Sequence, residues 1–271
     1  MNAPPKLGVF LLVLSGNFVS RFKETIMRKI FPLFIVLGLL YTACTPNNVK
    51  TDDAIVKIMD SANVTGSFAL MENGSGQFTI TNLSAYKDSA YAPLNTFFAV
   101  PTLLGLDKGY IHQGINNLIA FDSVNYYKEL ISKIGRVNML KSIDSLQYGK
   151  GIISADSTMY WANNSLRITP DEQLGFIKKL YFTKLPFQKR SQELFKKLIL
   201  KEDNTSYKLS YIDAVDTEKG NSWIVGYIEE NKHPYFFVLY THAMKPIAAS
   251  DNASALLKRI LLQQGFLKGV R

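Results

Sequence analysis

An α/β (α+β) fold, with an antiparallel β-sheet flanked by helices and an all-helical insertion, is predicted by three features of this sequence. Residues 64–72 and 77–81 are alternating or β-rich runs joined by Asn73-Gly74-Ser75-Gly76, a strong hairpin signal. Residues 115–188 turn to helical periodicity. The last third returns to aromatic and β-branched runs at 222–229 and 234–240, closed by an amphipathic helix over 253–266.

At 271 residues the chain can hold one large domain or two small ones, and 47% hydrophobic with 12% aromatic residues excludes a disordered chain. Of the net charge of +9, residues 1–43 carry +4, from Lys6, Arg21, Lys23, Arg28 and Lys29 against Glu24. The rest of the chain carries +5, with clusters only at Lys178-Lys179 and Lys196-Lys197. These read as solvated helix faces, and no nucleic-acid partner is expected. His112, His233 and His242 are too scattered for a metal site, and one cysteine leaves no zinc spacing, so no metal or cofactor is expected.

Residues 1–26 read as an over-extended start or leader. A second start at Met27 opens a lipoprotein-type signal over 27–43: Arg28-Lys29 as the positive region, an apolar run to Leu40, and Tyr41-Thr42-Ala43 before Cys44. Acylation of Cys44 would anchor the chain to a membrane of the bacterial envelope, with residues 44–62 as a polar tether. The folded domain is expected over 63–271.

Within it, the hairpin precedes a central helix from Asn95 and Thr96, read as N-cap residues, to Gly109 as the C′ glycine. Phe97, Phe98, Val100, Leu103, Leu104 and Leu106 leave that helix no polar face, which places it in the core. Residues 123–134 and 137–146 are amphipathic, and Thr169-Pro170-Asp171-Glu172-Gln173 is a helix start with Pro at N1. Residues 207–214 read as a strand.

The stretch Pro93, Thr96, Phe97, Gly105, Leu106, Asp107, Gly109, Ile111 resembles the active-site helix of the class D β-lactamases and penicillin-binding transpeptidases, and the likeness extends over about residues 63–267. The resemblance implies their fold and an acyl-transfer site. It puts Asn95 where the nucleophilic serine stands and Phe98 where the lysine base stands. It puts Asp122, with Ser123 and Val124, at the second motif, whose serine is lost. Tyr148-Gly149-Lys150 stands for Tyr-Gly-Asn, Trp161 for the tryptophan that shelters the modified lysine, and Ile212-Asp213-Ala214 for Lys-Thr-Gly.

The chemistry needs a hydroxyl and an amine at i and i+3, one turn apart on a helix face, so that the base can take the proton. Asn95 has no hydroxyl and Phe98 no lone pair. With the relay serine and the anion-binding lysine also gone, the catalytic set is expected to be inactive. The residues left to bind a ligand are Asn95, Thr96, Asp122 and Val124, with Tyr148, Lys150, Trp161 and Asp213. Ser84–Lys87 and Ser20–Lys23 repeat the Ser-x-x-Lys spacing but lie outside the helix.

The expectation is a pseudoenzyme lipoprotein of the envelope, periplasmic or surface-facing, that binds a peptidoglycan-related ligand or an envelope protein. Two alternatives stand beside it. One is a live acyltransferase or hydrolase, on β-lactams or D-Ala-D-Ala peptides, using Thr96, Asp122 or Asp213; the other is a structural interaction lipoprotein.

Overall fold

The computed structural model describes residues 48–111, 124–151, 159–243 and 249–270, with backbone alone for 249–252. Residues 1–26, the signal at 27–43, Cys44, His112, Asp122 and Ser123 lie outside the described residues. Among those described, seven strands form one sheet: β1 (Val49–Lys50), β2 (Val64–Glu72), β3 (Phe78–Ile80), β4 (Leu200–Asp203), β5 (Tyr207–Asp216), β6 (Asn221–Glu230) and β7 (His233–Ala243). Their order is β1-β3-β2-β7-β6-β5-β4, and every pairing is antiparallel except β1 with β3.

Alternation along the strands divides the core in two. Phe68, Leu70, Ile224, Ile228, Phe237 and Leu239 face one side. There they meet α1 (Asp53–Ser61) and the closing helix α8 (Ala249–Gln263). Met71, Ile212, Trp223, Val225, Phe236 and Val238 face the other. That side is covered by α3 (Ala99–Asp107) and by the helices of the insertion, α4 (Val124–Ile134), α5 (Arg136–Leu146) and α6 (Pro170–Tyr181), followed by α7 (Lys189–Leu198). Each fully buried Phe or Leu contributes about 2–3 kcal/mol, so both faces are needed to fix the sheet.

The hairpin closes as expected, with Glu72 N–H donating to the Gln77 carbonyl at 2.9 Å. At α6 the predicted start is a full capping box: Glu172 N–H donates to Thr169 Oγ1 (3.1 Å), and Thr169 N–H donates to Glu172 Oε2 (2.9 Å). A short helix α2 (Leu83–Lys87) follows the hairpin and carries Ser84 and Lys87 away from the central helix.

Three readings are corrected. The tether does not extend to residue 62. From Asn48 the chain belongs to the fold, because Asp52 caps α1 by accepting from Ala54 N–H (2.8 Å) and because Ile55 and Met59 are buried against α8. The sheet is mixed at one edge through β1. Asn95 and Thr96 do not cap the central helix: residues Leu94–Phe98 form a 3₁₀ turn that runs straight into α3, and Pro93 before it makes no side-chain cap. Gly109 does take the left-handed conformation expected of a C′ residue, at φ +69°.

Candidate functional site

The 3₁₀ turn packs against β5 and β6, and this contact brings residue 95 toward the strand that carries Ile212. Leu94, at φ +53°, is held in the left-handed region by its own N–H donating to the Trp161 carbonyl at 3.1 Å. On the sheet side, Trp223 Nε1 donates to the Ala92 carbonyl (2.9 Å), and Tyr91 stacks on Tyr240 at 3.7 Å. The turn is therefore clamped from both sides, and Asn95 at its apex is half-buried.

Phe98 lies one turn beyond Asn95 and is fully buried. Its ring stacks on Tyr127 of α4, with centroids 3.8 Å apart and planes 12° apart, and meets Trp161 edge-on at 5.5 Å. Trp161 also stacks on Phe97 at 5.6 Å. Its indole Nε1 is buried and has no hydrogen-bond partner among the described residues, and the same is true of the Tyr160 hydroxyl. The Phe98 ring that meets Trp161 carries no nitrogen or oxygen to accept a hydrogen bond from the indole.

The Thr96 hydroxyl, next in sequence to Asn95, is already hydrogen-bonded. Its Oγ1 donates to the Pro93 carbonyl (2.5 Å) and accepts from Gln173 Nε2 (2.7 Å), and Tyr148 donates to Gln173 Oε1 (3.3 Å). All three side chains are buried. Sequence reasoning gives Gln173 only as part of a helix start and Tyr127 only as part of an amphipathic run. A signal was present for Gln173: it is the polar member of the apolar stripe Gln173, Ile177, Leu180 on α6.

The remaining predicted residues divide. Ile212 and Ala214 face the insertion side and are buried, opposite Val225 and Trp223. Asp213, one residue off, points to the opposite face by strand alternation and pairs with Lys201 of β4 at 3.0 Å. The structure therefore separates Asp213 from Asn95 rather than bringing them together. Val124 opens α4 and packs half-buried on the core. Lys150 is exposed and lines a surface groove with Asp144, Glu172 and Lys179. Gly149 before it has φ +72°, and a Cβ there would lie 2.3 Å from the Arg167 carbonyl oxygen, so only glycine lets Lys150 bridge to Arg167.

Burial around this aromatic cluster sets a pH limit. It holds the phenols of Tyr127 and Tyr148 well above the usual tyrosine range and pushes Tyr160 up to about 12. In the unfolded chain these groups ionise near pH ~10, so above that pH the unfolded state sheds protons that the folded state keeps. The stability they supply is complete below pH ~10 and is lost as pH rises, at about 1.4 kcal/mol per pH unit for each tyrosine. Urea midpoints followed by circular dichroism should fall steeply between pH ~10 and ~12, less steeply in Tyr148→Phe. A flat profile across that window would contradict the burial of these phenols.

No family model matches the chain. Among curated proteins it is 26% identical to β-lactamase OXA-5 of Pseudomonas aeruginosa over 236 residues, which cover 77% of this chain and 88% of that protein. It is 25% identical to the regulatory protein BlaR1 of Bacillus licheniformis over 247 residues, 82% of this chain and 40% of that protein. Among solved structures, the C-terminal domain of the Bacillus licheniformis BlaR penicillin receptor superposes with a TM-score of 0.71 at 24% identity, covering 80% of this chain and 96% of that one. The class D β-lactamase YbXI from Nostoc gives 0.70 at 23%, covering 79% and 99%. The chain is a homologue of the class D β-lactamases and of BlaR1, and it has the fold of a class D β-lactamase and of the BlaR penicillin receptor.

Proposed function

We propose that this chain is an envelope lipoprotein, anchored through Cys44, whose penicillin-receptor-like domain performs no acyl transfer and instead binds a ligand or an envelope protein. One observation carries this reading: Phe98, at the position the resemblance gives to the base, is buried with its ring stacked on Tyr127 and edge-on to Trp161. A ring there can neither take a proton from residue 95 nor accept the indole hydrogen bond. The relation to a protein named as a regulatory protein and penicillin receptor also favours binding over turnover.

The competing enzymatic reading loses support residue by residue. The Thr96 hydroxyl already donates to a main-chain carbonyl, its other partners among the described residues are Gln173 and Tyr148, and Asp213 serves the opposite face of the sheet. A purely structural role would require Asn95 to be covered, and it is half-exposed.

Purified protein should hydrolyse a chromogenic cephalosporin no faster than buffer. Turnover above background that disappears in Thr96→Val would overturn the reading and identify the substitute nucleophile.

A further inference from the structure

The domain's positive charge is concentrated in one segment of the chain. Residues 178–201 hold eight lysines and arginines and a single acid, Glu193, a net of +7. The chain from Cys44 onward carries only +5, so the remainder of the domain is net acidic.

Contacts locate the basic segment. Lys178 Nζ lies 3.5 Å from Met71 Sδ, and Phe182, 38% exposed, meets Phe236 at 5.9 Å. The Lys184 ammonium lies over the Phe182 ring at 5.8 Å, and Lys196 donates to the Tyr181 carbonyl at 3.1 Å. Met71 is paired with Phe236 on one side and with Phe78 on the other, and Phe78 is paired with Val49. The acids at this end are engaged: Glu72 accepts from Ser75, Glu229 accepts from Tyr181, and Glu193 pairs with Lys196 at 2.8 Å.

Val49 is therefore two strand spacings, about 10 Å, from the strand position that Lys178 touches. The described fold begins at Asn48, so only residues 45–47 separate it from Cys44, a reach of at most about 14 Å. A chain acylated at Cys44 would hold this end of the sheet against the bilayer.

We infer that the face built by Lys178, Lys179 and Lys184 around Phe182 docks on the anionic phospholipid surface of the membrane to which the chain is tethered. This inference rests on the lipid anchor of the proposed function. Clustered lysines attract anionic headgroups, and an exposed phenylalanine beside them can enter the interface. Among the described residues no helix is long and apolar enough to cross a membrane. The row through Trp223 and Tyr240 lies four residues along β7 from Phe236, about 13 Å away, so docking in this way turns the Asn95 turn away from the lipid.

The full chain, reconstituted through its own anchor into vesicles with about one-third phosphatidylglycerol, tests this. A dye on Pro186→Cys, beside the basic face, is compared with one on Glu218→Cys, in the β5–β6 turn at the other end, using a headgroup spin-labelled lipid as quencher. Quenching at 186 should exceed that at 218 by about five-fold or more, and should fall to the level at 218 in pure phosphatidylcholine or when Lys178, Lys179 and Lys184 become Gln. Equal quenching at both positions, with flotation resistant to salt, would overturn the docking face while leaving the anchor in place; this is the outcome expected if an acidic protein occupies the patch. Release of the wild-type chain from vesicles by salt alone would overturn the anchor and the docking together.

Discussion

Phe98→Lys should lower stability by about 3–5 kcal/mol, a large share of the roughly 5–15 kcal/mol that holds a domain together. The substitution puts an ammonium between Tyr127 and the Trp161 indole, neither of which carries a charge, and Trp161 Nε1 is a donor that cannot accept from it. The lysine would answer by lowering its pKa. The unfolded chain would then bind a proton that the folded chain does not, so the penalty should shrink as pH rises from 7 toward the unfolded lysine value near ~10. Phe98→Leu, which removes the ring without adding charge, should cost less and show no such pH dependence. Adding Asn95→Ser to Phe98→Lys should not produce cephalosporin hydrolysis, because Ile212 and Ala214 on the facing strand offer no cation to a substrate carboxylate. Paired urea titrations of the two single variants at pH ~7 and ~9 would settle the sign, and equal costs for Lys and Leu would show the site to be wetter than its burial implies.

Much of this fold was legible because local and long-range signals agree. The 73–76 turn, the Thr169 capping box and the aromatic runs of β6 and β7 each satisfy a local rule and also bury a face. Elements whose local signal is weak escaped. β4 is four residues of mostly charged sequence at a sheet edge, where charge protects the exposed backbone, and it does not read as a strand. In α7, four lysines and arginines mask the stripe of Ser191, Gln192 and Phe195 that the helix buries. α1 reads as tether because its polar surroundings hide a helix that buries only Ile55 and Met59.

The site divides along the same line. What residues 95, 98 and 212 lack can be read from residue type, since no arrangement gives phenylalanine a lone pair. What fills the space cannot. Tyr127 reaches Phe98 from a helix about thirty residues downstream, and Gln173 reaches Thr96 from 77 residues away. Asp213 differs from its neighbours only in strand parity, and register against β6 turns it to the face of Lys201.

Intact-mass analysis after exposure to a reporter penicillin is the most direct test of the claim that the acyl-transfer site is silent. Family enzymes are trapped through a serine hydroxyl, and loss of such a nucleophile costs on the order of a million-fold in turnover. Asn95 supplies none, and the Thr96 hydroxyl is committed to the Pro93 carbonyl and the Gln173 amide. The protein should keep its unmodified mass at every drug concentration, even where the drug binds reversibly and raises the melting temperature. A stoichiometric adduct of the penicillin, mapped by peptide analysis to Thr96 or to Ser84, would contradict the account.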